Sequence, residues 1–248
     1  MHHFFVEVDK IDEVNNEISI SGSDKNHILN VLRIEENEEI SISNGVDEKE
    51  YRCDIKEILE DEIILNIRFI KEAGVELPNK IYLFQGLPKN DKMELIIQKC
   101  TELGIAEIIP VQMSRCVVKL DKKKSDSKIK RWQAIADSAA KQSQRNIIPR
   151  IQEVISYKQA IKYAKDMEVR LVPYELAGNM QATRDIINAI ECGQRIAIFI
   201  GPEGGFSKEE IQLALDEEFT PITLGRRILR TETAGLATLA MIVYATEE

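Results

Sequence analysis

The first 72 residues contain short stretches in which apolar and polar residues alternate. Residues 17–21 and 39–43 both read Glu-Ile-Ser-Ile-Ser, and a period of two is typical of a strand with one buried face. The pattern predicts strands over residues 3–8, 17–21, 38–43, 51–58 and 62–70. A helix that starts near Asp24 and carries His27, Ile28, Val31 and Leu32 interrupts them. Several short strands with one helix are typical of a small β-barrel.

Beyond residue 73 the pattern changes to apolar runs that alternate with amphipathic segments. The runs predict strands over residues 81–85, 108–111, 169–174, 196–200 and 222–224. The amphipathic segments predict helices over residues 90–103, 127–144, 156–165, 182–191 and 232–245, with a further helix after Ser207. Alternating strands and helices predict a mostly parallel sheet covered by helices on both faces. The sequence therefore predicts two domains, residues 1–72 and residues 73–248.

The distribution of charge differs between these domains. The chain carries a net charge of −9, and residues 1–72 hold eight basic and nineteen acidic side chains. Residues 115–150, in contrast, hold eleven basic and three acidic side chains. Because binding responds to the local field, this basic segment is a candidate contact for nucleic-acid phosphates. The alternative is a solvated surface, which is what most charge runs are.

The composition argues against several functional classes. The four cysteines are scattered without a Cys-x-x-Cys pair, and the chain has three histidines. We therefore expect free thiols and no metal site. No apolar run approaches the roughly 20 residues that span a bilayer, and the N-terminus lacks the pattern of a signal peptide. We expect a cytoplasmic protein without a membrane partner.

A glycine-rich loop follows the apolar run at residues 196–200. It reads Gly-Pro-Glu-Gly-Gly over residues 201–205, and Ser207 and Glu210 then have the spacing of a helix capping box. Glycine allows a backbone to approach a ligand closely. The glycine spacing matches neither a phosphate-binding P-loop nor a dinucleotide fingerprint. Taken alone, the loop is either a turn or a binding site.

Two further strand ends carry candidate site residues. Ligands of parallel sheets bind beyond the carboxyl ends of the strands, and the predicted strands that end near Tyr174 and Leu224 meet this condition. The second is followed by three arginines and then by an apolar helix. Thr231 is suited to cap that helix and Glu232 suits its dipole, but a cation at Arg230 is mildly unfavourable there. A residue placed against local preference is a site candidate.

Sequence stretches distributed along almost the whole chain, taken in order, carry a resemblance to a known family. They are residues 27–33 (HILNVLR), 86–94 (GLPKNDKME), 96–104 (IIQKCTELG), 115–120 (RCVVKL), 131–132 (RW), 139–145 (AAKQSQR), 200–205 (IGPEGG) and 224–234 (LGRRILRTETA). With these residues the chain resembles the RsmE-type 16S ribosomal RNA (uracil-N3) methyltransferases of the SPOUT superfamily.

The resemblance implies a fold and an activity. The fold would be α/β, with a C-terminal parallel sheet that contains a deep trefoil knot and has helices on both faces. A PUA-like β-barrel that helps to hold RNA would precede it. The activity would be S-adenosylmethionine-dependent methylation of N3 of a specific uridine in 16S ribosomal RNA of the small ribosomal subunit. The family is homodimeric through the knot region, which the apolar helix at residues 232–245 would fit.

The resemblance and the chemistry together assign residues to roles. We expect Arg230 to stabilise the uracil anion, with Glu232 or Glu203 orienting it or accepting the proton. The cofactor-binding residues would be Val172, Pro173, Tyr174, Glu175, Ile200, Gly201, Pro202, Glu203, Gly204, Gly205, Leu224, Gly225, Ile228, Leu229, Arg230, Thr233 and Ala234. The RNA-binding residues would be His3, His27, Arg33, Lys89, Lys92, Arg115, Lys119 and Arg145.

Three positions depart from the family's pattern, and two alternatives stay open. His3, Asn26 and Arg226 stand where the family often has arginine, histidine and proline, and the first two bear on an RNA contact. One alternative is methylation of another RNA, such as transfer RNA. The other is a non-catalytic RNA-binding module in ribosome assembly, against which the intact cofactor loops argue.

Overall fold

The computed structural model describes residues 2–35, 38–71, 74–174 and 178–247. The chain divides into two compact units, Met1–Glu76 with Ala140–Ile148 and Leu77–Ala139 with Pro149–Glu248. Within the described ranges, no helix is both long and apolar enough to cross a membrane. The same residues contain no group of three or more His, Cys, Asp or Glu side chains placed to hold a metal ion.

The first unit contains a curled β-sheet. Its strands are β1 (His2–Phe5), β2 (Ile11–Asp12), β3 (Glu17–Ser21), β4 (Ile40–Ser43), β5 (Glu50–Ile58) and β6 (Glu62–Lys71). They lie in the order β1-β4-β5-β6-β3-β2, with β1 parallel to β4 and the other pairs antiparallel. Two irregular points in the pairing of β5 with β6 bend the sheet. The helix α1 (Gly22–Asn26) continues into a π-helical segment, His27–Leu32.

Alternation in the sequence decides which face of this sheet is buried. Ile18 and Ile20 of β3 point into the core, and the residues between and beside them are more exposed. Strand β4 is buried along its whole length, so its two serines need partners. Ser43 donates to the backbone oxygen of Lys49 and to the Asn146 side chain, each at 3.2 Å.

The segment Ala140–Ile148 belongs to this first unit, which the sequence pattern did not predict. The Glu76 carboxylate accepts hydrogen bonds from the Arg145 guanidinium at 2.6 Å and from the backbone N–H groups of Asn146 and Ile147 at 3.0 Å. Arg145 is only 4% exposed. Its guanidinium is therefore held by Glu76 within the unit, and the RNA contact expected from the sequence stays a prediction. An ion pair between distant positions leaves no local signal.

The second unit has a parallel sheet flanked by helices. Its strands are β7 (Lys80–Gly86), β8 (Glu107–Gln112), β9 (Arg150–Ile151), β10 (Ile155–Ser156), β11 (Val169–Pro173), β12 (Arg195–Ile200) and β13 (Thr220–Ile222). Its helices are α2 (Lys92–Glu102), α3 (Lys122–Gln142), α4 (Tyr157–Ala164), α5 (Met180–Asn188), α6 (Lys208–Asp216) and α7 (Thr231–Thr246). The last residues of α3 are counted with the first unit.

Every pairing between the described strands of this sheet is parallel. The order is β10-β8-β7-β12-β11-β13, with β9 beside β8. The central strand β12 is buried from Ile196 to Ile200, as expected for a parallel strand covered on both faces. The predicted α/β class, parallel sheet and N-terminal β unit are confirmed, and the trefoil knot stays a prediction. The short strands β2, β9 and β10 were not predicted, because two residues are too few to show a period.

Candidate functional site

Three loops lie side by side at one edge of the parallel sheet. Strand β11 pairs with β12 on one side and with β13 on the other, so the carboxyl ends of all three point to the same edge. Tyr174 follows β11, residues 201–205 follow β12, and residues 223–230 follow β13. The order of the strands in the sheet therefore brings together segments that are distant in sequence.

A cavity of about 770 Å³ opens between these loops. Its wall contains most of the predicted cofactor residues, namely Pro173, Tyr174, Ile200, Gly201, Pro202, Glu203, Gly204, Gly205, Ile228, Leu229, Arg230 and Ala234. A second cavity of about 260 Å³ shares Pro173, Tyr174, Ile228, Leu229 and Ala234 with the first and adds residues 223–227. The segment Ile228–Leu229 thus borders both cavities.

Backbone atoms form the glycine-loop side of the larger cavity. Gly205 has φ +66°, a left-handed conformation that disfavours any side chain. A Cβ atom on Gly201 would lie 3.1 Å from the carbonyl carbon of Gly205. At the end of β7, a Cβ atom on Gly86 would lie 2.7 Å from the backbone nitrogen of Pro202. The loop can follow this path only because these three positions have no side chain.

Thr231 ties the glycine loop to the first turn of α7. Its hydroxyl donates to the Gly201 carbonyl at 2.6 Å and accepts from the Gln85 amide at 2.9 Å. Both side chains are buried. The sequence suggested that Thr231 caps α7, but the capping position is Arg230, which makes no side-chain capping bond. Thr231 is instead the first helical residue, and its hydroxyl is used across the site rather than within the helix.

Lys92 makes a second connection between the same two segments. Its ammonium lies 3.0 Å from Glu203 Oε1 and 3.3 Å from Glu232 Oε2. The Glu203 carboxylate also accepts the backbone N–H of Lys89 at 3.0 Å. The hydrogen bond that the Lys92 ammonium donates to Glu203 raises the pKa of Lys92. Burial acts to raise the pKa of Glu203, but the Lys89 N–H and the Lys92 ammonium lower it below its ordinary value. Lys92 and Glu203 are therefore both charged at neutral pH.

Three other cationic side chains line the larger cavity: Arg115, Lys208 and Arg230. The Arg115 guanidinium donates to the Gly204 carbonyl at 2.9 Å, which holds it against the glycine loop. Within the described ranges, the Arg230 guanidinium makes no hydrogen bond or ion pair. It is thus available to a ligand in the cavity, whereas Lys92 is engaged by two carboxylates.

Not every predicted cofactor residue reaches either cavity. Val172 is buried in the sheet, Thr233 lies on an exposed face of α7, and Glu175 lies outside the described residues. Glu232 does not line the larger cavity but contacts Lys92, which does. Lys208 lines the cavity although the sequence did not single it out, and its place just after the capping serine was the signal that could have found it.

The residues expected to bind RNA fall into different environments. In the second unit, Lys89 and Lys119 are exposed, and Lys92 and Arg115 line the larger cavity. In the first unit, Arg33 is exposed in a left-handed conformation at the end of the π-helical segment. His3 and His27 line a cavity of their own within that unit. These roles stay predictions.

Comparisons with known proteins match both units. A family model described as an RNA methyltransferase domain matches residues 75–243, and one described as an RNA methyltransferase PUA domain matches residues 20–68. The Bacillus subtilis protein named ribosomal RNA small subunit methyltransferase E is 39% identical over 252 residues, which cover 100% of this chain and 98% of that protein.

Solved structures agree over nearly the full length. The chain resembles a Neisseria gonorrhoeae ribosomal RNA small subunit methyltransferase E bound to S-adenosyl methionine, with 31% identity, a TM-score of 0.82, and coverage of 98% of this chain and 97% of that one. It also resembles a Legionella pneumophila methyltransferase in complex with the cofactor SAM, with 32% identity, a TM-score of 0.83 and the same coverage.

Proposed function

The chain belongs to the ribosomal RNA small subunit methyltransferase E family of RNA methyltransferases, and on this premise we propose that it transfers the methyl group of S-adenosylmethionine to N3 of a uridine in 16S ribosomal RNA. The observation that carries the proposal is the cavity of about 770 Å³ in which the glycine loop and the uncommitted Arg230 face the same space. Its residues offer both a backbone cradle for a cofactor and a cation for an anionic base.

The residues present fit S-adenosylmethionine. The cavity wall at residues 201–205 is rich in glycine, and beside Gly205 no described atom outside its chain neighbours lies within 4 Å of where a Cβ would stand, so a ligand can approach the backbone there. The loops after β12 and β13, with Pro173 and Tyr174, would hold the adenosyl and methionine parts. When bound, the group supplies a methyl on a sulfonium, so no metal is needed for the transfer.

Arg230 is the residue that we assign to the chemistry of the base. Uracil N3 carries a proton at neutral pH, and negative charge develops on the uracil ring and its oxygens as the N3–H bond breaks. That charge would be consumed when N3 bonds to the methyl carbon and the sulfur leaves as a neutral thioether. The Arg230 guanidinium lines the cavity and is not engaged by any described side chain, so it can stabilise that charge directly. The target base must leave its stack to enter the cavity.

We assign Glu203 as the carboxylate that accepts the proton from uracil N3. It lines the cavity, and Lys92 and the Lys89 N–H keep it ionised, which is the form that accepts a proton. Glu232 lies behind Lys92 and acts on the cavity through that lysine. No histidine among the described residues lines either cavity.

Mass spectrometry of ribosomal RNA tests the activity. Small subunits or naked 16S RNA are incubated with the protein and S-adenosylmethionine, and we expect 3-methyluridine in the digested nucleosides. Methylation of transfer RNA, and not of 16S ribosomal RNA, would show that transfer RNA is the substrate. If calorimetry detects no cofactor binding, the protein is better explained as a non-catalytic RNA-binding module than as an enzyme. Arg230→Ala should abolish methyl transfer and retain measurable cofactor binding, while unchanged turnover would remove Arg230 from the mechanism.

We also propose that the protein is a homodimer in which α7 is part of the interface. From Leu236 to Tyr244 the helix is apolar on all sides except for the buried Thr238, yet Ala240 is exposed and Tyr244 is 91% exposed. A helix that is apolar on all sides is normally buried on all sides. Light scattering should give twice the chain mass, and Tyr244→Glu should shift the protein towards the monomer. A monomeric wild-type protein at micromolar concentration would contradict this proposal.

A further inference from the structure

A small cavity within the first unit gathers all three histidines of the chain. It has a volume of about 230 Å³. Its lining residues are His2, His3, Phe4, His27, Leu32, Lys141, Gln142 and Gln144. They come from β1, from the π-helical segment and from the segment at residues 140–148, so the cavity exists only because that segment joins this unit.

The charge of the lining is opposite to that of its surroundings. Residues 1–72 hold nineteen acidic side chains against eight basic ones. Among the described residues, the cavity lining nevertheless contains no carboxylate, and six of its eight residues carry a side-chain nitrogen. A unit with this net charge repels a polyanion at long range, so any contact with one must be local. Donors are concentrated at this cavity, and the nearest described carboxylate to Lys141 is its ion-pair partner Asp24.

Lys141 is held in a fixed position at this cavity. Its ammonium lies 3.0 Å from Asp24 Oδ1 and 4.2 Å from the centre of the Phe4 ring. An ammonium group has three N–H donors, and the single hydrogen bond to Asp24 leaves others to face a ligand. The carboxylate and the aromatic ring reduce the entropy that ordering the lysine would otherwise cost on binding.

His3 forms the buried wall and is neutral. Burial lowers the pKa of His3, and Glu50 only partly opposes this. The Ser41 hydroxyl donates to Glu50 at 2.6 Å, so it must accept from His3 Nδ1 at 2.8 Å. This chain of bonds fixes the tautomer and the orientation of the ring. Charge attraction for an anion therefore comes from Lys141, and the exposed rings of His2 and His27 offer N–H donors.

We propose that this cavity binds a phosphate group of the RNA backbone. The choice of RNA as the ligand rests on the proposed function, because the same donors would also bind free phosphate. Lys141 supplies the charge, His2, His27 and the two glutamine amides supply directional donors, and Phe4 and Leu32 supply an apolar base. The site would anchor the acidic unit on RNA at one point, while the basic segment at residues 115–150 supplies attraction over a longer range.

The test uses the full-length protein and compares Lys141→Gln and His27→Gln with Lys56→Gln, a matched control. Lys56 is an exposed lysine of the same unit that pairs with Glu17 and does not line the cavity. We expect Lys141→Gln to weaken binding of a 16S RNA fragment about tenfold, because a charge-assisted bond to phosphate is lost. The slope of log affinity against log salt should fall by about 0.7 to 0.9. His27→Gln, at an exposed position where folding is not at risk, should weaken binding in the same direction.

Two further measurements keep this inference separate from the proposed function. Calorimetry should give unchanged S-adenosylmethionine affinity for all three variants. NMR of the histidine rings should show shifts of His2 and His27 with inorganic phosphate and with uridine monophosphate, but none with uridine. Wild-type RNA affinity and salt slope in both cavity variants, with methyl transfer intact, would overturn the phosphate site alone. Shifts with uridine but not with phosphate would also overturn it, since the cavity would then read a base. Absence of methyl transfer by the wild-type protein would count against the proposed function. The phosphate titration would still show whether the cavity binds phosphate.

Discussion

The hydroxyl of Thr231 should control the affinity for the cofactor through its hydrogen bond to the glycine loop. Thr231→Val keeps the shape of the side chain but removes the donor to the Gly201 carbonyl and the acceptor for the Gln85 amide. Gln85 is fully buried and Thr231 is 6% exposed, so water does not replace these bonds easily. Leaving a buried polar group without its partner costs about 1–3 kcal/mol. The glycine loop then loses one of its two connections to α7.

Calorimetry with S-adenosylmethionine measures the consequence. If the bond holds the loop in its binding conformation, affinity should fall about tenfold, which corresponds to about 1.4 kcal/mol. Thr231→Ser restores the hydroxyl and should recover most of the affinity. Thr246→Val is the matched control, because its hydroxyl, among the described residues, bonds to the Ile242 carbonyl at the far end of the same helix. Reduced stability towards urea with unchanged cofactor affinity would refute the reasoning, since Thr231 would then stabilise the core and not the loop.

Three more substitutions test features that the sequence did not reveal. Glu76→Gln should lower the free energy of unfolding of the first unit by about 3–5 kcal/mol in urea, because it leaves the buried Arg145 guanidinium without its carboxylate. A loss of RNA affinity without a loss of stability would contradict this structural role. Gly86→Ala should disrupt the glycine loop and abolish cofactor binding by calorimetry, because its Cβ would lie 2.7 Å from the backbone nitrogen of Pro202; binding at wild-type strength would show that the loop can move aside. The pKa of His3 is lowered in the folded state, so the unfolded chain takes up a proton at a higher pH than the folded chain does. The stability that neutral His3 contributes above its ordinary pKa of 6.5 is therefore lost as the pH falls below that value. Thermal melts of His3→Gln should therefore depend less on pH below 6.5 than those of the wild type, and parallel curves would exclude His3 as a cause.

Local patterns were sufficient for much of the fold. The period-two stretch at β3 and the apolar run at β12 each predicted an element that the structure contains. Ser207 and Glu210 form the capping box that their spacing predicted. These features depend on residues within a few positions of one another, so a single sequence displays them. Boundaries were less accurate: α3 begins at Lys122 rather than Ser127, and β13 ends at Ile222 rather than Leu224.

The sequence by itself determined the parallel α/β class, the N-terminal β unit and the loops that border the candidate site. It did so because periodicity, glycine spacing and family motifs are properties of neighbouring residues. Only the tertiary structure decided how single side chains are used. Lys92 reads as a basic residue that could track RNA, and the fold engages it with Glu203 and Glu232. Arg145 likewise reads as basic and exposed, and the fold buries it against Glu76. The partners of a charged side chain are set by strand order and chain crossings over tens of residues, which no local pattern records.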